Sequence, residues 1–198
     1  MINIRRELVS YFGDPDSIQL NDVDLDPLRI KAILINEVVP SDPSHDFYGS
    51  DDSEYLRSAL NIMQMAGAEV SDIKDVLNMG IYITNAVKTP KSEYTIDKDS
   101  IENSIPFLEK EISLFPDVKV IMLLGDVAKK SFNMISKRAT KKNAVPSVST
   151  YKLRNTEIHY QGIRVIPSYI ITGGNLQIER SKSEMTAEDI AVMLDLIK

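Results

Sequence analysis

Three short runs, Ile30 to Ile35, Gly80 to Thr84 and Val118 to Leu124, are almost continuously apolar and rich in β-branched residues. A strand with one wet face alternates apolar and polar side chains, whereas a strand covered on both faces does not. The runs therefore read as parallel strands buried between layers of helix. A fourth candidate, Arg164 to Ile166, is entered from Thr156 to Tyr160 through Gln161-Gly162, which reads as a small hairpin leading into a sheet strand.

Helical patterns fill the intervals. Asp51-Asp52-Ser53-Glu54 is a capping signal, and Tyr55, Leu56, Ala59, Leu60, Met63 and Ala66 follow at helical spacing. Ser71 is expected to cap a short helix to Leu77. Asp99 or Ser100 opens a longer one to about Phe115, with Pro106 marking a kink or a later start. Gly125-Asp126 begins the next, to about Ile135, and Thr186-Ala187-Glu188-Asp189 caps the last, ending at Lys198. Ile4 to Tyr11 is expected as a helix packed on an edge. Strand and helix alternate, which implies an α/β fold: a three-layer α/β/α sandwich around a central, mostly parallel four-stranded sheet. The 198 residues suit one domain spanning 1–198, and 43% hydrophobic residues suffice for its core.

Composition removes several chemistries. There is no Cys, hence no disulfide, thiolate zinc site, iron–sulfur cluster or Cys nucleophile. The full dinucleotide fingerprint and the P-loop pattern are both missing, so no cofactor is expected. Met1 to Glu7 carries no long apolar segment, and no run approaches the roughly 18 apolar residues that a membrane span needs. A soluble, cytoplasmic monomer is the expectation. The net charge of −6 and pI of 5.0 argue against a non-specific nucleic-acid coat. The charge is uneven, however. Val127 to Thr156 contains no acid but holds Lys129, Lys130, Lys137, Arg138, Lys141, Lys142, Lys152 and Arg154. This is either a solvated helix face or a phosphate-binding edge.

In an open α/β sheet, ligands sit beyond the carboxyl ends of the strands. Three segments there stand out. The first, Asn36 to Gly49, is long and turn-rich, with Glu37, Asp42, His45 and the adjacent aromatics Phe47 and Tyr48. The second is Asn85 with Lys88; an Asn offers one acceptor and two donors to a planar ring, or else closes an Asx-turn. The third, Pro167 to Leu176, brings hydroxyls, two glycines and an Asn. Gly125, by contrast, is expected to serve close strand–helix packing. Glu37 has a structural alternative as the ion-pair partner of Lys88, and Phe47 and Tyr48 as core lid residues.

Leu34-Ile35-Asn36-Glu37-Val38-Val39-Pro40, Ile83-Thr84-Asn85-Ala86-Val87-Lys88, Leu123-Leu124-Gly125-Asp126-Val127-Ala128 and Val165-Ile166-Pro167-Ser168-Tyr169 together resemble the uracil-DNA glycosylase superfamily in order and spacing. The resemblance covers roughly residues 30 to 176. It implies a repair enzyme that flips a nucleotide out of DNA, single- or double-stranded, and excises uracil or a related base. Carried over by motif, Asn85 would read the base edge and Phe47 or Tyr48 would stack on the ring. Glu37, together with Asp42 on the same loop, would be catalytic, a carboxylate there orienting water or stabilising an oxocarbenium-like centre. Lys88, Ser168, Tyr169, Thr172, Gly173, Asn175 and Leu176 would touch DNA, with Leu176 as a wedge. The chain departs from the family pattern at Ile170, where a donor His is common, and at Asn36, where Gly is usual. His159, Ser168, Tyr169 and Thr172 are candidate substitutes for the donor. The alternatives are a weakened relative that binds a nucleobase or nucleic acid without excision, and a small-molecule nucleoside-processing enzyme.

Overall fold

The computed structural model describes residues 1–92, 94–173 and 179–198. A two-stranded antiparallel ribbon pairs β1 (Ile2–Asn3) with β2 (Asp24–Leu25), and α1 (Ile4–Phe12) lies between them in sequence. The main sheet contains β3 (Ala32–Val38), β4 (Ile81–Val87), β5 (Val120–Leu124), β6 (Ile158–Tyr160) and β7 (Ile163–Ser168) in the order β4-β3-β5-β7-β6. The pairs β3–β4, β3–β5 and β5–β7 are parallel, and β6–β7 is the antiparallel hairpin. The sheet has five strands rather than the four expected, because the first arm of the hairpin pairs fully with β7.

Both faces are covered, as the unbroken apolar runs require. Leu34, Ile83, Met122 and Ile166 sit in one core with side chains of α2 (Glu54–Met65), α3 (Ile73–Asn78) and α7 (Arg180–Leu196). Ile33, Ile35, Ile121, Leu123 and Val165 face the other way. They pack with α1, α4 (Lys98–Ser113), α5 (Asp126–Thr140) and Leu153 of α6 (Thr150–Leu153). The result is the α/β/α sandwich. Among the described residues no helix is long and apolar enough to cross a membrane.

Some boundaries differ from expectation for local reasons. Asp97 caps α4 by accepting from Ser100 N–H, so the helix starts early and runs through Pro106. Asp72, not Ser71, caps α3. The last helix begins at Arg180, and Thr186 lies inside it. Its hydroxyl donates back to Lys182 O at 2.9 Å, a bond open to Thr in helix interiors and invisible to a search for caps.

One polar cluster ties β4 to the layer behind it. Lys88 Nζ lies 2.6 Å from Glu111 Oε2 and 2.7 Å from Thr84 Oγ1, with both ionic side chains almost wholly buried. Tyr82 OH and Thr84 Oγ1 donate to Glu111 Oε1, and Asn21 Nδ2 donates to Tyr82 OH at 2.7 Å. A buried pair of this kind adds little by itself, but breaking it strands a charge. Lys88→Met is therefore expected to lower the urea-unfolding free energy by about 3–5 kcal/mol. The double variant Lys88→Met/Glu111→Leu should recover much of that loss. A single variant of unchanged stability would show the charge to be solvated after all.

Candidate active site

The carboxyl ends of β3, β5 and β7, with the starts of α6 and α7, enclose a cleft of about 380 Å³. Glu37, Gly125 and Asp126 form one wall, Ser149 to Tyr151 a second, and Ser168, Tyr169, Ile170 and Thr172 a third; Glu179 and Lys182 close it. The size falls within the range of small-ligand sites.

Glu37 enters this cleft from β3. The helix α5 has no side-chain cap of its own, because its N-cap is Gly125. Val127 N–H instead donates to Glu37 Oε1 at 3.1 Å, so a carboxylate from another element sits at the positive end of the helix. Gly125 makes room for it. A Cβ there would lie 2.3 Å from Glu37 Oε1, and the φ of 108° is one that side chains rarely adopt. The glycine thus houses the carboxylate, which is more than the strand–helix packing expected of it. Burial pushes the Glu37 pKa up, with the Val127 N–H pulling it back and Asp126 adding to the rise.

Asn85 is placed differently from expectation. It lies within β4, paired in register with Asn36 of β3, and not in the loop after the strand. Asn36 Nδ2 donates to Asn85 Oδ1 at 2.9 Å, while Asn85 Nδ2 donates to both Asp46 carboxylate oxygens at 2.9 and 3.2 Å. Asn36 continues the chain to Thr172 Oγ1 at 3.2 Å. All four side chains are buried. Successive side chains leave a strand on opposite faces, so the Asn36–Asn85 pair points toward α2 and α7 while Glu37 points toward α5. Thr172 joins the two sides, lining the cleft while bonding Asn36. Burial raises the Asp46 pKa, opposed by Phe47 N–H and the Asn85 amide.

The other expected residues divide as follows. Phe47 is fully buried in the α2-side core, tilted against Tyr55, which matches its alternative reading as a core residue. Tyr48 stacks on Tyr82 and accepts a hydrogen bond from Ile83 N–H on the outer edge of β4. Asp42 is exposed and caps the turn Pro43–His45 through Ser44, which holds its carboxyl below the usual range. Lys88 is committed to Glu111 in the interior; neither a phosphate contact nor a pair with Glu37 fits that burial. Ser168 is buried and donates to Asp189 Oδ2 at 2.5 Å. Tyr169 lines the cleft with its ring 5.7 Å from Lys182 Nζ. Gly173 is exposed with a φ of 104°. Asn175 and Leu176 lie outside the described residues. His159 pairs with Arg164 at the amino end of β7, remote from the cleft, and His45 is exposed on its loop.

The model of the uracil DNA glycosylase superfamily matches residues 40–182 of this chain. The chain belongs to that superfamily. The match takes in well over half of the sequence, and membership supports a glycosylase-like function acting on DNA. Glu37 lies just before the matched segment. No protein of curated function matches the chain.

Four residues around the cleft and the Asn36–Asn85 pair take part in ways not expected of them. Asp46 holds Asn85 from within the flagged loop, beside the aromatics that drew attention. Asp189 and Arg154 sit 35 residues apart, yet Arg154 Nε bonds Asp189 Oδ2 at 2.8 Å and thereby braces Ser168. Tyr151 is an exposed aromatic on the wall of the cleft. Arg154 and Tyr151 carried a local signal, as a cation and an aromatic of the basic stretch. The crowding at Gly125 is directly testable. Gly125→Ala is expected to destabilise the protein by about 2 kcal/mol or more from backbone strain and the clash. In a double-mutant cycle, Glu37→Ala should relieve part of this, giving a coupling of about 1 kcal/mol. Strict additivity would show that the two groups do not crowd each other.

Proposed function

We propose that this superfamily member excises uracil or a related base from DNA as a monomer, without metal or cofactor, and that the reacting sugar docks in the Glu37 cleft. One observation carries the reading: a partly buried carboxylate, held by the N-terminus of α5, faces a cleft at the carboxyl end of a parallel sheet. In this scheme the glycosidic C–N bond breaks and its electron pair leaves with the base. The Glu37 carboxylate stabilises the positive charge that develops on the sugar and orients a water toward it. Water oxygen bonds the sugar carbon, and its proton passes through Glu37 to the base. Lys182 and the hydroxyls of Ser149 and Thr150 line the same cleft and supply polar groups for the flanking backbone.

A second reading, base binding without excision, has its own support. Ile170 lines the cleft where the resemblance places a donor His, and an alkyl chain donates nothing. The Asn85 amide is also occupied at both ends, by Asn36 and Asp46. Base reading by Asn85 therefore requires Asp46 to give way.

The deciding experiment measures free base released from uracil-containing DNA. Wild-type protein should turn over, and Glu37→Gln should slow release by about a hundredfold, the scale of one preorganised electrostatic group. The ionised form is the active one, so the rate should rise with pH as Glu37 loses its proton. Because burial raises that pKa, the rise should fall above the ordinary range of a Glu, and it should vanish in Glu37→Gln. Ile170→His should raise the rate by about tenfold or more by restoring a donor. Folded protein that binds uracil DNA but releases no base, even as Ile170→His, sinks the excision reading and leaves the binding one.

A further inference from the structure

The basic stretch does not act as one unit. Arg154 is spent on Asp189 and Glu188, and Lys129 on Asp126 and Thr150. Lys130 and Lys137 are exposed, and among the described residues no carboxylate lies within ion-pair distance of either. Lys130, Asn133, Met134 and Lys137 stand at i, i+3, i+4 and i+7 of α5 and so share one face, with the two lysines about 10 Å apart along the axis.

That face forms one side of a groove of about 370 Å³, whose other side is the 143–148 segment. Its lining includes three lysines and no acid. The groove borders the cleft: Lys129 lines the former and donates at 2.7 Å to Thr150, which lines the latter. At the junction two apolar side chains face solvent, Val148 at 47% and Tyr151 at 64% exposure. A tyrosine so exposed contributes little to the core. The setting is also electrostatically singular. Residues 127–156 carry eight positive charges and no negative one. With −6 overall, the remaining residues therefore carry −14, from 15 basic and 29 acidic side chains.

We propose that this groove holds a single-stranded nucleic-acid segment flanking the reacting nucleotide, with phosphates on Lys130 and Lys137 and a base stacked on Tyr151. A cationic groove with an exposed aromatic is the arrangement that grips a strand through its backbone and its ring faces. A duplex keeps its ring faces inside and presents phosphates over a wider surface, which here would meet the acidic remainder of the protein. The inference rests on the reading of the Glu37 cleft as the site of the reacting nucleotide.

The test uses the full chain and a fluorescein-labelled oligothymidine of about 15 nucleotides, free of uracil, against a blunt duplex of equal length. Anisotropy should show tighter binding of the single strand. Lys130→Glu/Lys137→Glu should weaken that binding by about tenfold or more and reduce the salt slope by about two, one per lost phosphate contact. Tyr151→Ala should weaken it by about tenfold with the salt slope unchanged. Lys74→Glu, an exposed charge on α3, should do neither. Because the substituted side chains are exposed, thermal melts should match wild type; if the reversed pair melts early, Lys130→Ala/Lys137→Ala carries the same test. Unchanged single-strand affinity in both the lysine and the Tyr151 variants, or a duplex bound as tightly as the single strand, overturns the proposal. Base release is followed in parallel. Intact groove binding without excision removes only the glycosylase reading. Excision with binding indifferent to these substitutions removes only the groove.

Discussion

The hydrogen bond between Asn36 and Asn85 is the contact on which the working end of this molecule depends. Two amides at matched positions of adjacent strands are buried, so each must find a partner inside the protein. Their mutual bond uses one donor and one acceptor. What remains is met by Asp46 from the loop after β3 and by Thr172 from the segment after β7. Two connections far apart in sequence are thereby fastened to the same pair of strands. The position of Thr172 at the cleft is thus set from the opposite face of the sheet.

The layout also separates two tasks. Glu37, one residue after Asn36, turns to the other face and meets α5. The sheet therefore stands between a fully satisfied amide cluster and a carboxylate with open space before it. Polar groups that are completely paired fix geometry; a polar group with unfilled capacity beside a cleft is available for chemistry. Held at a helix terminus and partly dried, Glu37 is of the second kind.

The architecture was legible because strands covered on both sides are written as unbroken apolar runs, and a Gln-Gly turn marks a hairpin. The ends of the strands were not. Asn36 and Asn85 look like the start of a loop, yet backbone pairing is indifferent to side-chain polarity, and both strands continue past them to Val38 and Val87. Lys88 misleads for a related reason. A lysine after a strand suggests a surface, and nothing nearby announces that Glu111, 23 residues on in α4, waits in the interior to neutralise it. Gly125 was noticed and under-read, because its purpose depends on a side chain 88 residues earlier. The fourth and fifth strands were both seen as arms of one hairpin, and only the depth of their pairing was missed.

Tyr48 has a consequence beyond its stacking on Tyr82. The strand β4 is the border of the sheet, and its outward N–H at Ile83 is satisfied by the Tyr48 hydroxyl where another strand would otherwise bind. An uncovered border is a template for pairing with a second molecule. Asn21 Nδ2 donates to the carbonyl of the same Ile83 at 3.3 Å, so side chains from two separate segments close this stretch of the border. A strand from a second molecule would have to displace both side chains before it could pair with Ile83, so the border is closed without a further strand.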